Sequence, residues 1–375
     1  MPAPVVPATV APVADVPAAV APASIAPAVL APVVATVADS HAVPAAVPVP
    51  AVSSRRWPAV LFSLAVVAAA FYSFSPRPAP SFAATTIQPG GLIVSGLVAH
   101  GGDFIAVGEQ GHILIAEQAA GPWTQAAVNP ERGSTLTQIQ FIDQDTALAV
   151  GHDSWILRSS DRGRSWTEVH FDGERSEPLL GIAGPFEGRL FAFGGFGQML
   201  VSDDGGRHWQ RAASEVLGDR HLNAMLRLRD GRLLLVGERG LMATSSDLGR
   251  SWVEQPAIYK GSLFGALTLT SGRLLVYGMR GNAFTSDDDG NSWRAADMPA
   301  TDSIFGGMAL RNGEAVLVGA NNTVLQSSDG GRKFREMTTQ GRSTLTAIIP
   351  LGSAHWLTGG ELGLAVQKAT AGAAK

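Results

Sequence analysis

From residue 93 to the C-terminus, short apolar runs alternate with polar turns, and no stretch repeats at helical spacing. In one unit the runs cover 222–228, 232–236, 241–245 and 251–255, separated by Gly, Asp, Ser and Arg. That pattern predicts four consecutive strands joined by tight turns. The unit recurs. A glycine closes its second run at Gly108, Gly151, Gly194, Gly237, Gly278, Gly319 and Gly360, at intervals of 43, 43, 43, 41, 41 and 41 residues. Seven copies with a period in the low forties predict an all-β fold, a seven-bladed β-propeller of four-stranded blades over residues 82–375.

Ten residues beyond five of these glycines stands an aspartate: Asp161, Asp204, Asp247, Asp288 and Asp329. Five residues further comes an aromatic: Trp166, Trp209, Trp252, Trp293 and Phe334. The first unit keeps the aromatic as Trp123 but has Gln118 in place of the aspartate. The full pattern, Ser-x-Asp-x-Gly-x-x-Trp, resembles the Asp-box (BNR repeat) of propeller proteins. A structural role accounts for it: Ser and Asp bond nearby amides, Gly supplies positive φ, and the aromatic packs into the blade. A calcium loop needs several alternating carboxylates and a Glu, so neither metal nor cofactor is expected.

The seventh unit runs out of chain before its outer strand. Its glycine is Gly360, its third strand is expected near 364–368, and Lys375 falls where the Trp would stand. Residues 83–88, ahead of the first inner strand at 93–99, are therefore expected to close the ring as the missing strand.

Upstream the pattern changes. Residues 1–54 hold 11 of the 23 prolines and no Lys or Arg, an Ala/Pro/Val-rich composition expected to form a disordered or polyproline-like tail. Arg55 and Arg56 then precede an uncharged run from Trp57 to Pro76. Twenty residues at about 1.5 Å each reach roughly the 30 Å of a bilayer core. The segment 55–76 reads either as a transmembrane anchor or as a signal peptide, cleavable before Ala84. With the arginines on the cytoplasmic side, the rest is expected at the periplasmic face of the inner membrane.

Net charge is −4, which argues against a nucleic-acid partner, and the absence of cysteine removes disulfides and thiol chemistry. Seven Asp-box blades behind one export segment resemble the Ycf48/HCF136-like family over residues 82–375. The resemblance rests on blade count, repeat length and the glycine-to-Asp-box spacing. It implies a non-catalytic scaffold or assembly factor for a membrane protein complex, as in photosystem II assembly, or for a transporter. The implied partner is an integral membrane protein. Sialidases share the Asp-box, so a glycoside hydrolase or a carbohydrate-binding propeller is the alternative. For hydrolysis the local tyrosine–carboxylate pair is Tyr259 with Glu254; no catalytic residue is assigned.

Alternating strand direction places the loops before each inner strand and the second-to-third turns on one face, opposite the Asp-boxes. Basic residues recur on that face: Arg132, Arg175, Arg220, Lys260 and Arg342 before inner strands, and Arg239 and Arg280 in turns, with Asp302 interrupting the series. They form a candidate partner-binding rim for an acidic peptide or loop. The plainer alternative is ordinary solvated charge, interleaved with Asp172, Glu174, Glu177, Asp219 and Glu238.

Overall fold

The structure is a computed structural model that describes residues 57–74 and 89–371, except 312, 339–340, 353–354 and 369. The chain divides into two units, 1–81 and 82–375. In the first, Trp57–Phe74 forms an 18-residue helix. At 1.5 Å per residue it is about 27 Å long, and no described helix is long and apolar enough to cross a membrane. The span expected to reach Pro76 is therefore described only as far as Phe74.

The second unit is the seven-bladed propeller. Its inner strands are Val94–His100, Leu136–Phe141, Leu179–Phe186, Leu222–Arg227, Leu263–Thr268, Ile304–Ala309 and Leu345–Pro350. Each pairs antiparallel with a second strand ending at the repeat glycine, as Leu222 pairs with Gly237 in blade four. That blade continues through Met242–Ser245 to a two-residue outer strand, Val253–Glu254. The second strands of blades two, four, five and six are buried at every position. Both faces of each blade meet a neighbour, so these strands read as unbroken apolar runs rather than as alternation. The core is accordingly a ring of inter-blade clusters, such as Phe191, Phe193, Leu235 and Trp252 between blades three and four.

The repeat glycines are required by crowding. Their backbone is extended, with φ of −174° at Gly108 and −169° at Gly151. A Cβ there would collide with the carbonyl just before the inner strand, Thr135 for Gly151 and Ser262 for Gly278. Polar side chains on the inner strands tie each blade to the next. Thr137 Oγ1 donates to the Leu179 carbonyl at 2.8 Å, and Asn223 Nδ2 to that of Leu263 at 2.8 Å. Thr346 Oγ1 donates to the Val94 carbonyl at 2.6 Å, which joins blade seven to blade one.

Blade seven has three described strands, the third being Gly363–Lys368. The segment 83–88, expected to complete it, lies outside the described residues. The chain emerges at Pro89–Gly91 against Gly363, where a Cβ would strike the Pro89 carbonyl. The C-terminal residues turn away: Thr370–Ala371 pairs with Met337 and Thr338 as a fifth strand of blade six. A second fifth strand, Ala127–Asn129, runs parallel to the outer strand of blade two.

Candidate functional site

On the Asp-box face, one hydrogen-bonded turn is repeated in five blades. Ser159, Ser202, Ser245, Ser286 and Ser327 each donate Oγ–H to the Asp Oδ1 two residues on, at 2.8 Å. The same Oγ accepts the glycine N–H at 2.8–3.0 Å. These glycines sit at positive φ, 84° at Gly163 and 77° at Gly249. Asp161 Oδ1 also accepts the amides of Arg164 and Ser165, and its Oδ2 takes the Ser165 hydroxyl. Equivalent hydroxyl bonds, from Ser251 and Ser292, hold Asp247 and Asp288 at about 2, below the ordinary 3.8. Trp166, Trp209 and Phe334 are buried, and the indoles of Trp166, Trp209 and Trp293 donate to the motif glycine carbonyl at 2.9–3.1 Å. Trp252 is equally buried, but its Nε1–H has no hydrogen-bond partner among the described residues.

Arginines that sequence reading passed over lace these turns together. Arg189, Arg232 and Arg273 donate to the Asp-box carbonyls of the next blade, at Leu248 (3.2 Å), Asp289 (3.2 Å) and Gly330 (2.8 Å). Each stands five residues before its own blade's repeat glycine, so the signal was present in the spacing.

The opposite face carries the seven basic rim residues, and the structure divides them. Arg132 forms a two-pronged bond to Glu168 at 2.8 and 2.7 Å and lies 4.2 Å from the centre of the Phe171 ring. Glu168 also accepts Trp155 Nε1–H at 2.8 Å. Arg220 is held just as firmly, by Glu254 at 2.6 and 3.0 Å and by the Val216 carbonyl at 2.7 Å. These two stiffen their loops. Arg175 lies 3.9 Å from Asp172, and Arg239 3.4 Å from Glu238. Lys260, Arg280 and Arg342 are exposed, with no carboxylate within ion-pair distance among the described residues.

Three of the less constrained cations are neighbours. Gly240, beside Arg239, packs on the Tyr259 carbonyl, and the Tyr259 hydroxyl reaches to 3.4 Å of the Met279 carbonyl, beside Arg280. Tyr259 thus links the Arg239 turn, the Lys260 loop and the Arg280 turn. Asp302, the break in the basic series, accepts a hydrogen bond from Asn321 Nδ2 at 2.7 Å. The Glu254 carboxylate is drawn into the Arg220 bond, which lowers its pKa, while Tyr259 faces Met279 and Phe284. The two residues named as a tyrosine–carboxylate pair are therefore engaged by different partners.

Inside the ring, the inner strands enclose an axial cavity of about 300 Å³. On its blade five and six side stand Phe264 and Phe305, one residue in from the rim-face end of their strands, with ring centres 5.3 Å apart. Another hollow, about 440 Å³, lies at the first blade's motif-poor turn, between Glu117, Gln118 and the Arg164–Asp103 ion pair.

No family model and no curated protein matches the chain. Solved structures do. A structure described as Ycf48 bound to D1 peptide has a TM-score of 0.59 at 18% identity, covering 79% of this chain and 99% of that one. Ycf48 from Cyanidioschyzon merolae scores 0.59 at 14% identity, covering 75% and 97%. An inactive virginiamycin B lyase from Staphylococcus aureus, with quinupristin, scores 0.61 at 11% identity, covering 76% and 97%. At these identities the likeness is one of fold.

Proposed function

We propose that the propeller is a non-catalytic scaffold or assembly factor that uses its rim face to hold an acidic segment of a membrane protein partner. The observation that carries this reading is the contiguous group Arg239, Lys260 and Arg280, exposed on one face of a net-negative chain. Guanidinium groups without firm carboxylate partners are ready to take carboxylates two-pronged, at little cost in broken ion pairs. The similarity to Ycf48 propellers, one of them solved with a bound peptide, supports the same use of the fold. The export segment and the periplasmic side of the membrane belong to the same reading.

Chemical crosslinking in intact cells, followed by recovery from detergent-solubilised membranes, tests it. The wild-type chain is expected to bring down an integral membrane protein that the Arg239→Ser/Lys260→Ser/Arg280→Ser variant loses. Equal recovery by both would overturn the rim as the binding surface. Release of sugar from sialosides by the purified chain would replace the scaffold by a hydrolase.

A further inference from the structure

The turn between second and third strands adopts one conformation in six blades. Its central residue has φ of 54–56° at Gln110, Asp153, Phe196, Arg239, Arg280 and Asn321. Asn and Asp tolerate this left-handed region, whereas a bulky aromatic there is an outlier that costs conformational energy. Blades one, two and six carry Gln, Asp and Asn. Blades three, four and five carry Phe, Arg and Arg. Phe196 is 61% exposed, so burial does not explain its presence.

Phe196 is also joined to the cationic group. Its ring meets His221 edge-on at 5.5 Å, and the His221 carbonyl accepts the Glu238 amide at 2.8 Å, beside Arg239. Apolar exposure follows the same bias. Of the six exposed large apolar residues among the described residues of the propeller, Ile93, Phe196, Phe305 and Leu362 lie on the rim face or at the cavity mouth, Val253 on the outer strand of blade four and Val366 on the third strand of blade seven. Below Phe264 and Phe305, Gly265 and Gly307 leave room for the Tyr277 ring, which a Cβ at Gly265 would strike. Tyr277 is itself among the residues lining the cavity, and its burial raises the pKa of its hydroxyl, so the group stays neutral.

We infer that the arc from Phe196 to Arg280 takes an extended acidic peptide segment that also presents an aromatic side chain, seated on the Phe264–Phe305 pair at the mouth of the axial cavity. The carboxylates lie along Arg239, Lys260 and Arg280. Phe196 covers the segment from the blade three side, and the aromatic pair is the apolar contact for the seated side chain, since the cavity behind it also presents Ser95, Gln138, Asn223 and Thr346. The inference rests on the rim as a docking surface for acidic segments and adds the apolar half of the recognition. Charge complementarity selects the acidic occupant, and the coincidence of aromatic and cationic positions on the same arc selects its side chain.

The test uses the full chain in detergent and two fluorescein-labelled peptides of alternating Glu and Gly, one with a central Phe and the other with Ser there. Anisotropy is expected to show the Phe peptide binding about tenfold tighter, a difference of ~1.4 kcal/mol. Phe196→Asn and Phe305→Ser are each expected to reduce that preference while leaving Ser-peptide binding unchanged. Phe196→Asn sits on an exposed turn that favours Asn, so it separates loss of contact from loss of fold. Equal affinity for the two peptides, both sensitive to Arg239→Ser/Arg280→Ser, would overturn the aromatic seat and leave the acidic docking standing. Failure of both peptides to bind would overturn the two readings together. Binding only to vesicles of anionic phospholipid, through the same residues, would assign the face to a membrane surface and overturn the peptide site.

Discussion

On the Asp-box face, five aspartates are surrounded by hydroxyl and amide donors, and arginines bond the next blade's turn. On the rim face, Lys260, Arg280 and Arg342 meet no carboxylate within ion-pair distance among the described residues. Both faces are generated by the same repeated blade. The difference lies in what each turn asks of its side chains. The Asp-box turn is three residues of polar chemistry closed on itself, and departures such as Gln118 dismantle it. The rim turn asks only for a left-handed residue, so its side chain is free to vary, and here it varies toward Phe and Arg in three consecutive blades. Charge that is hydrogen-bonded on every side contributes to the ring; charge left in water is available to something else.

The comparison can be broken from either side. Trp209→Ala, on the structural face, is expected to cost about 3–5 kcal/mol in denaturant unfolding, as other large-to-small core changes do. An unchanged midpoint would remove the Asp-box aromatic from the core. Next in size is the seam. The cluster between blades seven and one has three fully buried residues, Val94, Ala106 and Leu114, the smallest in the ring among the described residues. A chain starting at Gly90 is expected to melt measurably below one starting at Phe82, because an outer edge of blade seven would then stay unpaired. Equal melting temperatures would mean that residues 83–88 do not complete the blade.

Arg220 and Arg280 test the division within the rim itself. Arg220→Met is expected to lower stability by about 1.5–3 kcal/mol, the scale of hydrogen bonds to a charged partner. Arg280→Ser should change it by less than about 0.5 kcal/mol, as surface substitutions do, while weakening peptide binding. Equal destabilisation by both would erase the distinction between fixed and available cations. Phe196→Asn should raise the unfolding free energy by up to ~1 kcal/mol, by relieving a left-handed aromatic; a loss instead would mean that the ring packs to advantage.

The smallest effect is expected from acid. Asp247 and Asp288 titrate near 2 in the folded chain, against 3.8 ordinarily. Protons therefore bind the unfolded chain first, and the stability these groups contribute is present above about pH 4 and lost as pH falls from 3.8 toward 2. Both carboxylates are solvent-facing, so the contribution is screened and small. Melting curves of the wild type and Asp288→Asn between about pH 5 and about pH 2 should converge at the acid end; parallel curves would remove Asp288 from the acid response.

By itself the sequence determined the blade count, the strand order and the chemistry of the Asp-box turn. All three follow from local spacing: a glycine with no room for a Cβ, a Ser–Asp pair two residues apart, and an aromatic five residues on. It also carried the arginines five residues ahead of the repeat glycines, a regularity whose meaning needed the neighbouring blade to be seen. What the tertiary structure decided depends on residues far apart in the chain. Arg132 and Arg220 look like Lys260 and Arg280 in the sequence, yet Glu168 and Glu254, 36 and 34 residues away, hold the first two. The turn of the C-terminal residues onto blade six, and the meeting of Phe264 with Phe305 at the cavity mouth, were likewise decided by the closed ring. Repeats announce the contacts made inside each unit, because every copy restates them. Contacts between units depend on which side chains the ring brings face to face, and no single copy of the repeat contains that information.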